Sequence, residues 1–372
     1  MGSSFSFNPA LAVLFCAGLF GADSLEAVFE KAASALASQD YANAERGFEA
    51  VLKAQPANIA ALGNLGVVYS RTRRYARAID VYRRALRIAP GDKGLNTNLG
   101  LAYVKQEQYA SALPLFEKLA ADPGNLQARE LLAACLLSLG RLEPAIRILD
   151  PLHAADPNNA AVLSMLGVAL VKMKRTDEAH AAFAQMMQSV SPAQADFLMG
   201  KASYETGRFE EAADFFRRTL KTDPDFNGVH RELGKTLISL RDDEGAEKEL
   251  RQAGSGDEEA LYFLGAVLAR AHRTEAIPIL TRAQELSPDF WGPLYYLGRL
   301  YLEQGQPKQA LPLLERAARL KPDEPAIQYQ LGGALRKAGR EAEARTAFER
   351  VKQLKSMTAK SEIDVLSPER NH

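Results

Sequence analysis

The chain has 372 residues, with 46 Lys and Arg against 46 Asp and Glu, so its formal net charge is zero. That balance excludes a general nucleic-acid binder, which needs surplus cations to displace counterions from phosphates. Apolar residues make up 47% of the chain, enough for a folded protein, and the two cysteines leave the redox compartment open.

The first 22 residues stand apart. From Pro9 to Ala22 no residue is charged, and Asp23 follows at once. The stretch is shorter than the roughly 20 apolar residues a spanning helix needs. Its length fits the apolar core of a secretory signal. The sequence therefore predicts an exported or periplasmic protein if this leader is cleaved, and a cytoplasmic one otherwise. Phe15 stands before Cys16, where a bacterial lipobox wants a small residue, so lipid attachment is not expected.

Beyond the leader a ladder begins. Leu62, Leu65, Gly66, Tyr69, Ala78, Tyr82, Ala85 and Pro90 return about 34 residues later, most cleanly as Leu294, Leu297, Gly298, Tyr301, Ala310, Leu314, Ala317 and Pro322. The spacing of the first four marks one face of a helix. Glycine there costs roughly 1 kcal/mol against alanine, so its return at Gly100, Gly167, Gly200, Gly234, Gly265 and Gly332 predicts close approach of a partner helix. Alanines from Ala78 to Ala344 have the same role on the second helix, and large residues such as Tyr82, Phe116 and Phe216 fill the space between. Gly140, Gly207, Gly305 and Gly339 are placed to end the first helix in a left-handed turn. Pro56, Pro90, Pro123, Pro157, Pro224, Pro288 and Pro322 are placed to close the second.

A ladder repeated in register this often resembles the tetratricopeptide repeat family. The resemblance covers nearly everything from Leu25 to Leu354. It implies an all-α fold, an α-solenoid forming a right-handed superhelix of about ten antiparallel helix-turn-helix units. Residues 23–254 make units one to seven, and 255–354 make units eight to ten. The Gly254-Ser255-Gly256 segment is the expected flexible seam, and 355–372 is a polar tail. Lys31 replaces the ladder leucine in the first unit, as suits an end unit with one exposed side.

The same resemblance implies function. The expected role is a non-enzymatic scaffold that binds a peptide segment or a protein partner in its concave groove. No cofactor, small-molecule substrate, nucleic acid or membrane span in the mature chain is expected. The alternative is a structural subunit of an envelope assembly, a secretion or pilus complex, using convex or end surfaces. An enzyme is disfavoured because the repeats consume nearly the whole chain.

First helices line the groove in this family. Asn64 and Asn98 sit one residue before Leu65 and Leu99, where family members hold a peptide backbone through asparagine amides. Two exposed helix asparagines are the plainer reading, since Leu131, Met165 and Leu198 continue the register. The set for the chaperone-type carboxylate clamp is not present. Further along, Phe197, Tyr204, Tyr262, Tyr295 and Tyr329 turn the expected groove aromatic, and Lys201, Arg231, Lys235, Arg299 and Arg336 interleave with them. This mixture suits a peptide with apolar anchors and acidic groups. In the adjacent pairs Tyr262-Phe263 and Tyr295-Tyr296, one member of each should face the groove. His153, His180, His230 and His272 fall in different units, so no metal site is expected. Cys135 lies in an apolar helical run and reads as a buried thiol.

Overall fold

The computed structural model describes residues 22–366, so the leader, Ala22 excepted, and residues 367–372 lie outside it. Among the described residues there are twenty helices and no strand. They follow one another as pairs: α1 Ala22–Ala37 and α2 Tyr41–Ala54; α3 Ile59–Arg71 and α4 Tyr75–Ile88; α5 Lys93–Lys105 and α6 Tyr109–Ala120; α7 Leu126–Ser138 and α8 Leu142–Ala155; α9 Ala160–Lys172 and α10 Thr176–Ser189. The series continues with α11 Pro192–Glu205 and α12 Phe209–Thr222; α13 Val229–Ser239 and α14 Asp243–Gln252; α15 Glu258–Arg270 and α16 Ala276–Leu286; α17 Trp291–Glu303 and α18 Pro307–Leu320; α19 Pro325–Lys337 and α20 Glu341–Leu366.

Two compact units result, divided between Asp242 and Asp243, which is between α13 and α14 rather than at Gly254–Gly256. In the first unit the core runs continuously from Ala32 to Ala202. In the second it is built from smaller clusters around Leu294, Leu314 and Leu335. The last helix continues past Lys355, where the tail was expected, because no Gly or Pro interrupts the chain before Pro368.

The ladder glycines are where the sequence reading put them. A Cβ added at Gly66 would lie 2.3 Å from the ring of Tyr82, and one at Gly100 would lie 2.6 Å from Phe116. Gly167 meets Phe183 in the same way, and Gly298 meets Leu314. The helical penalty of each glycine, roughly 1 kcal/mol, is exceeded by the burial it permits. Tyr82 and Phe116 are fully buried, and burying such a side chain contributes roughly 1.5–3 kcal/mol.

Turns inside the pairs are uniform in backbone and varied in sequence. Gly140, Gly207, Gly305 and Gly339 have positive φ, as expected. In the remaining pairs the same left-handed position holds Gln39, Arg73, Glu107, Lys174, Arg241 and His272. Between pairs, the proline turns carry a tie that the sequence reading did not foresee. The carbonyls of Pro56, Pro90, Pro157 and Pro288 accept hydrogen bonds from Arg84, Lys118, Gln185 and Arg316, each 28 residues on in the following second helix. Side-chain caps start most first helices, for example Asn58 accepting from the Ala61 amide and Asp92 from that of Leu95, which satisfies amides a helix start leaves unpaired.

Candidate peptide-binding face

Asn64 on α3 and Asn98 on α5 occupy one register, two residues before Gly66 and Gly100. Asn64 is half-buried and Asn98 is only 2% exposed, so Asn98 is not the surface asparagine of the plainer reading. Among the described residues neither amide has a hydrogen-bond partner. Apolar Leu131 takes the same register in the next unit.

Phe197 is a correction. It is buried in the core between Phe216, with ring centroids 5.7 Å apart, and Phe226, at 4.8 Å. The turn that follows α12 folds Phe226 back over it, which helix periodicity alone does not reveal. Tyr204 is half-buried against Phe209, and the Lys235 ammonium lies 5.7 Å from its ring centre.

The cations near these rings are engaged. On α13, Arg231 Nη2 lies 3.1 Å from Glu232 Oε1, and Lys235 Nζ lies 3.1 Å from Glu232 Oε2. Glu232 is 8% exposed and holds the register of Asn64 and Asn98. Burial alone raises its pKa, but Lys235, Arg231 and Lys201 together pull it below the ordinary glutamate value. The sequence reading missed Glu232. Its signal was a carboxylate at the groove register with a cation on either side.

In the second unit the aromatic pairs contact one another, so both members of each are half-buried. Tyr262 meets Phe263 at 4.9 Å, Phe290 at 4.8 Å and Tyr296 at 5.9 Å between ring centroids. Tyr295 meets Tyr296 edge to face at 5.1 Å, and burial raises the pKa of its hydroxyl. Arg299 lies over the Tyr296 ring at 5.0 Å and pairs with Glu303 at 3.2 Å. Tyr329 is 60% exposed, and Arg336 is exposed beside the Phe348 ring. Among the described residues no cluster of His, Cys, Asp and Glu has metal-site geometry, and no helix is long and apolar enough to cross a membrane.

Two family models, each described as tetratricopeptide repeat, match the chain. One matches residues 29–93, 164–227 and 295–356, and the other matches 103–166 and 267–316. The chain belongs to the tetratricopeptide repeat family. Its helix pairs make it an α-solenoid protein, of the class that acts as a protein-interaction scaffold and is typically non-catalytic. Among solved structures, a crystal structure of MamA shares 25% identity over 43% of this chain and 96% of its own, with a TM-score of 0.38. A second MamA structure shares 28% identity over 45% and 92%, with a TM-score of 0.42. The Cut9-Hcn1 hetero-tetramer of the APC/C shares 14% over 79% of this chain and 59% of its own, with a TM-score of 0.44. No curated protein matches the chain in sequence.

Proposed function

We propose that the first-helix face of this scaffold holds an extended peptide segment of a protein partner, and that Asn64 and Asn98 bind its backbone. The observation that carries the reading is the pair of amides at one register on neighbouring first helices, both without a hydrogen-bond partner among the described residues. An extended backbone offers a donor and an acceptor at every residue, which is what two successive amides match. Membership of a protein-binding repeat family supports the same reading.

The test is selection of binders from a random peptide display library with the full chain, followed by affinity measurement on an Asn64→Ala, Asn98→Ala double variant. Each amide is expected to contribute about 1 kcal/mol, so the double variant should bind about 30-fold more weakly. Selected peptides that bind the double variant as tightly as the native chain would overturn the reading.

A further inference from the structure

Charge is unevenly spread along this neutral chain. Residues 71–87, the end of α3 and most of α4, hold seven arginines, no lysine and a single acid, Asp80. Arg74 is accounted for, since both of its terminal nitrogens donate to Glu45, at 2.7 and 2.6 Å. The outward stripe of α4 is different. Arg77, Asp80, Arg84 and Arg87 recur there at intervals of three and four, with Arg83 beside them and Ile88, 45% exposed, at the end.

In other helix pairs, exposed arginines at this spacing face a carboxylate. Arg175 pairs with Glu178 at 2.6 Å, Arg217 with Asp214 at 3.0 Å and Arg282 with Glu285 at 3.1 Å. On α4 the residues three and four before Arg87 are Arg84 and Arg83, and like charges so placed repel. What holds these side chains is neutral. The Arg83 guanidinium lies 5.5 Å from the Tyr103 ring centre, Arg84 Nη2 donates to the Pro56 carbonyl at 3.5 Å, and Arg87 has no partner among the described residues. A ring face and a carbonyl fix a guanidinium in place without cancelling its charge, which lowers the ordering cost of binding an anion.

We propose that this stripe binds an acidic segment of a protein partner, with carboxylates on Arg83, Arg84 and Arg87 and an apolar residue against Ile88. Arginine suits that role because its planar fork meets a carboxylate through two parallel hydrogen bonds. The surface lies on a second helix and involves neither Asn64 nor Asn98. Its narrowness selects the partner. The cations run about 15 Å along one helix, while the preceding and following second helices, α2 and α6, each carry as many acids as bases. A membrane would lie across all three and meet those acids as well, whereas a single segment follows the stripe alone. Single-stranded nucleic acid is recognised with rings that stack on its bases, and the α4 tyrosines offer none: Tyr82 is fully buried and Tyr75 half-buried.

Fluorescence anisotropy on the full chain tests this, with a dye-labelled glutamate peptide ending in leucine as probe and its glutamine counterpart as control. The native chain should bind the glutamate peptide at least about tenfold more tightly, and the difference should shrink in high salt. Arg83→Gln, Arg84→Gln and Arg87→Gln combined should abolish the difference while the far-ultraviolet circular dichroism stays native. Asn64→Ala with Asn98→Ala should leave it unchanged, which separates this surface from the first-helix face. Arg84→Glu with Arg87→Glu should instead create affinity for a lysine peptide, a gain that misfolding cannot produce. A native chain that does not distinguish the two peptides overturns the proposal, and so does discrimination that survives the glutamine changes. Tighter binding of a uridine oligonucleotide, or of phosphatidylglycerol vesicles, than of the glutamate peptide overturns it in favour of nucleic acid or membrane.

Discussion

Gly66 and Tyr82 share one volume: a Cβ on Gly66 would lie 2.3 Å from Tyr82 Cε1, and the ring is fully buried with nowhere to retreat. Gly66→Ala should therefore destabilise the second helix pair by roughly 1–3 kcal/mol, as overpacking does, despite the gain in helix propensity. Gly333 supplies the contrast. It is helical, and an added Cβ would meet nothing within 4 Å. Gly333→Ala should stabilise by about 0.5–1 kcal/mol. Urea midpoints and amide exchange in α3 and α19 report both signs. Equal effects would show that helix propensity, rather than the shared volume, governs these glycines.

Ser203 is fully buried in α11, and among the described residues its hydroxyl has no hydrogen-bond partner. Removing that group leaves nothing unsatisfied behind. Ser203→Ala should raise stability by about 1 kcal/mol, read as a higher urea midpoint. A lower midpoint would mean that the hydroxyl is bonded in solution.

Glu232 makes the stability of α13 pH-dependent. Its folded pKa lies below the ordinary value of 4.5, because Lys235, Arg231 and Lys201 outweigh the opposing effect of burial. A carboxylate of this kind contributes stability above its unfolded pKa and loses it as pH falls through the folded one. Glu232→Gln should cost roughly 1–3 kcal/mol at pH 7, less than a fully buried pair because the cations are partly exposed. The gap between variant and native chain should close at a pH below 4.5. A gap that is the same at both ends of the titration would assign the loss to packing instead.

Asn98→Leu should separate stability from binding. Leu131 shows that the register accepts an apolar side chain, so the replacement should keep stability within about 1 kcal/mol of the native chain. The same change removes the proposed peptide contact. A chain of near-native stability that loses affinity is the expected result, measured by urea titration and peptide binding side by side.

Cys135 is buried, and burial pushes its thiol pKa up to about 11. In a Cys16→Ser background it should react with an aromatic disulfide reagent only once the chain is unfolded in urea, since the thiolate is the nucleophile. Rapid labelling of the native protein would place it near the surface.

The helix pairs were legible because their signals are local and recur. Gly66, Ala78 and Pro90 each state a constraint that holds wherever the unit is repeated, and Gly140, Gly207, Gly305 and Gly339 announced their turns directly. The other turns were hidden, because Arg73 or His272 in a left-handed conformation looks like any polar residue. The candidate site was less legible for a related reason. Phe197 was misplaced because its partner Phe226 comes from a turn whose path helix periodicity does not encode. Lys235 and Arg231 looked available for an acidic ligand because their acceptor, Glu232, was overlooked within the same helix. Whether a side chain at the right register is already occupied depends on its neighbours in space.

The left-handed turns also determine where this protein can be made more durable. Six of them carry side chains at Gln39, Arg73, Glu107, Lys174, Arg241 and His272, a conformation that disfavours any residue with a Cβ. The other four show that glycine is accepted there with the helices on both sides intact. Thermostabilising such an array therefore need not begin with its core, which is already full. The six side chains at the corners can be changed one pair at a time, away from the first-helix face, with each gain confined to its own hairpin.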